Sequence, residues 1–400
     1  MPLTPKSLRL TVIAVSVFLG LVQIVVFSLG VPAAVSGRAG FRKFYVAGYM
    51  VRTGEARNLY DDDRNRRLRD ELISQDGVTE AFDSPAYEAL LFVPLSLMKY
   101  GVAYIAFLAT NLVLLWLSIH TLRPFLEKLD NVWSWLPAIV FLCFFPVAVS
   151  LTQGQDSIIL LTLMLFSAIS FYRGRDLTAG VFLGLTLFKF EFALLIALLF
   201  LFWRRWRIGA GFLVTGVVVA MISLLLAGVG GLRASAHHVL FSSPPTAVDR
   251  RDFGLTGLAL PNLHCLFNAL NSYISPRILE GATIVCSILL FAWTATRTAN
   301  FALAILVVLL VNTYGTFYDA VLLVIPIAMV LDARLAVSTG LSRLWSRNIV
   351  SVLFVAPSAC FLAGLSYCLL SPLMLGLLMP LRFTSADSQQ ASIGQTLSPQ

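Results

Sequence analysis

The chain has 400 residues, 58 % of them hydrophobic and only 12 % charged, with a mean hydropathy of +0.84. Soluble domains carry about 25 % charged residues, so the composition excludes a soluble globular protein and describes a polytopic membrane protein. The net charge of +8 sits mostly in short loops, where basic residues orient helices and meet anionic lipid heads; no alternation of aromatic and basic residues marks a nucleic-acid platform.

The first apolar run, Leu10–Leu29, follows Lys6 and Arg9 and reads as a retained signal anchor passing outward. Residues 31–88 form the longest polar segment, an expected outer loop in which Asp61, Asp62 and Asp63 open a charged helix as capping residues. Ala89–Met98 is too short to span and is expected at the interface. Val102–Leu122 then runs inward, Arg123–Asp130 forms an inner loop, and Trp133–Leu151 returns outward. Thr152–Asp156 is an outer turn, with Asp156 placed to cap the apolar helix Ile158–Tyr172.

From Leu177 to Trp203 the only charges are Lys189 and Glu191. An ionisable residue at bilayer depth costs about 2.5–3.5 kcal/mol on insertion scales, so its presence points to function. Arg173 and Arg175 precede this run, and Arg204, Arg205 and Arg207 follow it. Basic flanks at both ends place both ends inside. The run therefore enters and returns from one side, bending near Lys189, with halves of about 12 residues that rise only about 18 Å each. One long tilted helix with a Lys189–Glu191 pair is the alternative.

Gly209–Gly231 goes outward to a second outer loop over 232–275, which holds His237, His238, Pro244, Pro245, Asp249, Arg250, Asn262 and His264. Ala282–Trp293, Asn300–Val311, Val321–Leu331 and Ile349–Leu370 follow as further segments, and 382–400 is a Ser/Gln-rich tail expected to be disordered. The expected architecture is all-α: one helical-bundle domain over 1–381 with about 9–11 membrane segments. The histidines lack ligand spacing, so no metal or other cofactor is expected. The five cysteines show no CxxC; four lie in apolar runs, and a disulfide framework is not expected.

On this topology the unusual polar residues share the outer half: Gln153, Gln155, Asp156, Lys189, Glu191 and Asp319, with Glu88 where the first outer loop meets an apolar run. A site built from them faces outward and opens to lipid, which suits a substrate with a lipid tail and a charged head. Lys189 suits a phosphate as a point charge; Arg42 and Lys43 can meet anionic lipid heads.

Phe41-Arg42-Lys43-Phe44-Tyr45-Val46-Ala47-Gly48, then Gly54 and Leu59-Tyr60-Asp61, resembles the first outer loop of the family 87 glycosyltransferases. Pro85-Ala86-Tyr87-Glu88, Phe145-Pro146 with Gln153-Gly154-Gln155-Asp156, and Gly180, Gly184, Lys189 with Trp206-Arg207 are similar to later pieces of that family, in order. The resemblance covers about residues 38–265. It implies a C-type glycosyltransferase fold in the bacterial inner membrane with an extracytoplasmic active face. It also implies inverting transfer of a sugar, mannose foremost, from a polyprenyl-phosphate donor to a lipid or glycan acceptor. Lys189 would then contact the donor phosphate, and Gln153, Gln155, Glu191, Tyr45 and Asp319 would line the substrate pocket. The family carries an acid directly before the Phe of the first-loop motif, where this chain has Gly40. The base therefore falls to another acid, Glu88 first and Asp156 second. A non-catalytic relative that binds lipid-linked sugar, or a lipid or solute transporter, are the alternatives.

Overall fold

The computed structural model describes residues 5–73, 82–241, 260–335, 341–363 and 365–381. The side chains of His237 and His238, the segment 242–259 with Pro244, Pro245, Asp249 and Arg250, and the tail 382–400 lie outside the described residues. Every regular element described is helical. Five stretches are long and apolar enough to cross a membrane: Ile13–Val35, Tyr100–Phe125, Asp176–Phe202, Trp206–Ser235 and Pro276–Ala295. A bent pair, Leu136–Leu142 and Phe145–Gln153 at 54°, makes a sixth. The expected 9–11 segments are reached only by adding the shorter apolar helices.

Helix α1 (Pro5–Val35) leads to the polar segment expected as the first outer loop, which is folded. It holds α2 (Phe41–Arg52), α3 (Asp62–Leu72) and a 3-10 turn at Ala86–Phe92. Phe41, Phe44, Phe82, Phe92, Tyr104 and Phe107 form their own buried aromatic core there, with Phe44 stacked on Phe92 at 4.7 Å between centroids. Asp61 caps α3, its Oδ1 accepting from the Arg64 N–H at 3.0 Å, as the sequence predicts.

The chain then runs through α4 (Tyr100–Leu122), α5 (Glu127–Val132), α6 (Leu136–Leu142) and α7 (Phe145–Gln153). After these come α8 (Ser157–Tyr172), α9 (Asp176–Leu185), α10 (Phe190–Phe202) and α11 (Trp206–Phe241). The stretch 176–202 would carry its far end about 40 Å away if straight. Instead, Arg205 Nη1 lies 3.6 Å from Asp176 Oδ2, so the two ends meet on one side and the run is a hairpin. Its break is at Lys189, whose φ of −113° and ψ of 63° leave the helix. Glycines let α9 lie parallel against α11: a Cβ at Gly180 would overlap the Ile208 carbonyl, and one at Gly184 would press on Thr215.

α12 (Leu263–Asn268), α13 (Pro276–Ala295), α14 (Phe301–Val311) and α15 (Val324–Leu335) complete the centre. α14 is buried from Phe301 through Leu310, so its uniformly apolar sequence marks the middle of the bundle. The expected single segment Ile349–Leu370 is divided into α16 (Leu341–Ala363), a 3-10 turn at Tyr367–Leu370 and the returning α17 (Ser371–Leu381). Contrary to the sequence expectation, Cys265 of α12 and Cys368 of that turn form a disulfide, their Cα atoms 5.3 Å apart. The fold brings together two cysteines with a sequence separation of 103, a pairing that spacing could not signal.

Candidate active site

The hairpin tip delivers Lys189 into a group of carboxylates. Its Nζ lies 3.5 Å from Asp156 Oδ1 and 3.4 Å from Asp319 Oδ1. Asp156 stands at the start of α8, yet its side chain makes no cap hydrogen bond. The expected capping role is thus absent, and the carboxylate faces the lysine instead. Neither Asp156 oxygen has a hydrogen-bond partner among the described residues, although the side chain is only 1 % exposed.

Asp319 is committed differently. Thr316 N–H and Oγ1 each donate to its Oδ2 at 2.9 Å, completing a capping box on the 3-10 turn Phe317–Leu323. Ser157 Oγ donates to its Oδ1 at 2.9 Å. A fully buried carboxylate with this many donors is an anchor for Lys189. Ser157 and Thr316 were not singled out from the sequence, although the Thr-x-x-Asp spacing carried the signal for the second.

Glu88 is buried, not an interface charge, and neither of its oxygens has a hydrogen-bond partner among the described residues. It lies on the 3-10 turn Ala86–Phe92, which Tyr87 fastens on both sides. The Tyr87 N–H donates to Ser223 Oγ on α11, and its hydroxyl donates to the Leu185 carbonyl on α9, both at 3.2 Å. Burial, and then the Asp156 carboxylate beside it, push the Glu88 carboxyl well above the ordinary carboxylate range. Burial also raises Asp156, against the pull of Lys189. The two acids form one electrostatic unit and titrate as a pair.

Gln153 and Gln155 flank Gly154, which adopts φ +60° and sits against the Phe41 Cβ. Gln153 Oε1 accepts from the Gly40 N–H at 3.4 Å. Gln155 Nε2 fills the volume where a Cβ at position 40 would stand. The two glutamines thus bind the α7–α8 turn to the start of α2. Glu191 is within electrostatic reach of Lys189, and of the like-charged Asp319, but makes no ion pair with Lys189. Tyr45 is a brace, its hydroxyl donating to the Met98 carbonyl at 2.8 Å and its ring edge-on to Tyr100. Toward the outer surface Lys43 Nζ pairs with Asp83 Oδ1 at 2.8 Å.

Beyond the Tyr87 and Phe190 side chains lies a cavity of about 280 Å³, bounded by Tyr60, Leu187, Gly216, Ala220 and Ser223. It runs between α11, the Pro85–Tyr87 stretch and the hairpin tip. The arrangement offers two buried acids in one electrostatic unit, a lysine held between Asp156 and Asp319, and an adjacent apolar space beside the membrane helices.

The model of glycosyltransferase family 87 matches residues 85–326, a stretch that contains Glu88, Asp156, Lys189 and Asp319. No curated protein matches the chain. Among solved structures, the crystal structure of ArnT from Cupriavidus metallidurans in the apo state is similar at a TM-score of 0.34 and 12 % identity, over 97 % of this chain and 82 % of that one.

Proposed function

The chain belongs to glycosyltransferase family 87, and from that premise we propose that it transfers a hexose, mannose foremost, from a polyprenyl-phosphate donor to a hydroxyl of a lipid or glycan acceptor. The reaction takes place at the outer face of the bacterial inner membrane. The observation that carries this reading is the buried Glu88–Asp156 couple beside Lys189 at the tip of a membrane hairpin.

In the transfer, the Glu88–Asp156 couple accepts the acceptor hydroxyl proton. The acceptor oxygen bonds to the sugar C1 as the bond from C1 to the phosphate oxygen breaks, and the polyprenyl phosphate leaves with the electron pair. Protonating the couple weakens the hold of Asp156 on Lys189. The ammonium charge is then available as negative charge develops on the departing phosphate, which stabilises the transition state more than the ground state. Asp319 keeps Lys189 in place through its Thr316 and Ser157 bonds. The cavity behind Tyr87 and Phe190 supports a hydrocarbon chain lying next to the cluster. The Cys265–Cys368 disulfide supports an outward-facing site, since such bonds persist in oxidising compartments.

A second reading has its own observation. Gln155 occupies the space beside Gly40, where the family resemblance places an acid, so the chain would bind lipid-linked sugar without transferring it. Reconstituted vesicles given radiolabelled polyprenyl-phosphate mannose, glucose or arabinose, with bacterial lipid and glycan extract as acceptor, separate the two. Label moving into product, lost in the Glu88→Gln/Asp156→Asn variant, supports transfer. Donor binding with no transfer from any sugar supports the second reading and ends the first.

A further inference from the structure

We propose that Lys43, and not Lys189, is the residue that captures the lipid phosphate on arrival, giving up Asp83 in exchange; this deepens the transferase reading and rests on it for the identity of the lipid. The two lysines differ in their company. Lys189 already lies between Asp156 and Asp319, which are 1 % and 0 % exposed, with Glu191 and Glu88 close by. An anion approaching it meets fixed carboxylates that cannot turn away. Lys43 has its ion pair with Asp83, whose side chain is 63 % exposed. A pair with one partner in water is worth little and exchanges readily.

The geometry of Lys43 suits capture. Its side chain is 15 % exposed, and its Nζ lies 5.1 Å from the Phe44 ring centre, so the stem is held while the ammonium meets the exposed Asp83 carboxylate. It projects from α2, whose neighbouring Phe44 and Tyr45 are locked in the outer aromatic core. It is also within electrostatic reach of both Asp156 and Lys189. A phosphate exchanged onto Lys43 therefore stands at the edge of the acid–lysine cluster without having displaced any buried ion pair. Asp83 acts as a stand-in anion that keeps the lysine charged and oriented while the site is empty of lipid.

The test measures binding alone, in nanodiscs of neutral lipid, using a polyprenyl monophosphate that carries no sugar. Polyprenol and inorganic phosphate serve as separate arms. Lys43→Gln leaves Asp83 hydrated and is expected to fold as the parent does. It should weaken polyprenyl-phosphate binding about tenfold, the scale of one charge-assisted contact, while polyprenol binding is unchanged. Asp83→Asn should tighten phosphate binding about two- to five-fold, the size of an exposed ion pair. That gain should vanish in the Lys43→Gln/Asp83→Asn double variant. Unchanged affinity in Lys43→Gln, or no gain in Asp83→Asn, overturns the assignment. Inorganic phosphate competing as strongly as the lipid also overturns it, because the site would then read free phosphate. Since no sugar is transferred, Lys43-dependent binding in a protein that fails the vesicle assay sinks the transferase reading alone. Transfer with Lys43-independent binding sinks only this one.

Discussion

Asp176 and Arg205 close the hairpin with an ion pair at 3.6 Å, although the apolar run between them is long enough to cross a bilayer once. Both ends therefore belong to one face of the membrane, and Lys189 lies within it near the other. Cysteines placed singly at Arg175 and Arg207 should react with a membrane-impermeant maleimide from the same side. A cysteine at exposed Arg57 of the outer cap should react only from the opposite side. Labelling of 175 and 207 from different sides would replace the hairpin by a single crossing.

Glu88 gives a pH prediction with a definite sign. Its carboxyl is held well above the ordinary range by burial and by Asp156, so the folded state binds this proton more tightly than the unfolded chain. Stability contributed by the protonated form is full at acid pH and is lost as pH rises from the ordinary carboxylate value, about 4.3, through the raised one. Glu88→Gln lacks that loss. Its unfolding midpoint should match the parent at acid pH and exceed it increasingly toward neutral and alkaline pH; a difference independent of pH would contradict a buried, proton-retaining Glu88.

Lys189→Ala tests the bracketed lysine. The family resemblance gives Lys189 only a contact with the donor phosphate, whereas its ion pairs give it a structural part as well. With Asp156 and Asp319 left as uncompensated buried carboxylates, the expected cost is about 3–5 kcal/mol. Adding Asp156→Asn should recover at least about 1 kcal/mol of it, because the two sites are directly coupled. Unfolding in detergent measures both. Strict additivity would show that the observed ion pair contributes nothing.

Gly40→Asp has a specific obstacle. The backbone at this position is ordinary right-handed helix, φ −63° and ψ −14°, so any residue can adopt it. Only the Gln155 amide is in the way. The substitution should cost about 1–3 kcal/mol as overpacking, and Gln155→Ala should relieve most of that. A gain of transfer in Gly40→Asp/Gln155→Ala over the parent would favour the non-catalytic reading of the natural chain. Equal activity in the two would favour the Glu88–Asp156 couple.

The hairpin was legible because basic residues flank an apolar run at both ends, a bias that acts on short loops whatever the interior holds. Lys189 and Asp156 were legible as a charge and a polar turn set among apolar residues. Their pairing was not, since it depends on how deeply the hairpin tip enters beside α8. The burial of Glu88 was hidden for a similar reason: its 3-10 turn leaves Leu90 and Leu91 exposed and turns the acid inward, and the tyrosine that fastens it bonds to α9 and α11, far along the chain. The polar composition of 31–88 suggested an open loop. Its widely spaced aromatics, Phe41, Phe44, Phe82 and Phe92, instead gather into a second core that no short-range periodicity displays.

The disulfide adds an order of events to the making of this protein. The turn that bears Cys368 sets Tyr367 against Phe317, with ring centres 4.1 Å apart, two residues before Asp319. The wall behind Asp319 therefore stays unlocked until the thiols of Cys265 and Cys368 have both met an oxidant. Helix insertion alone leaves that wall unfastened, and fastening it takes an oxidation that moves two electrons from the thiols.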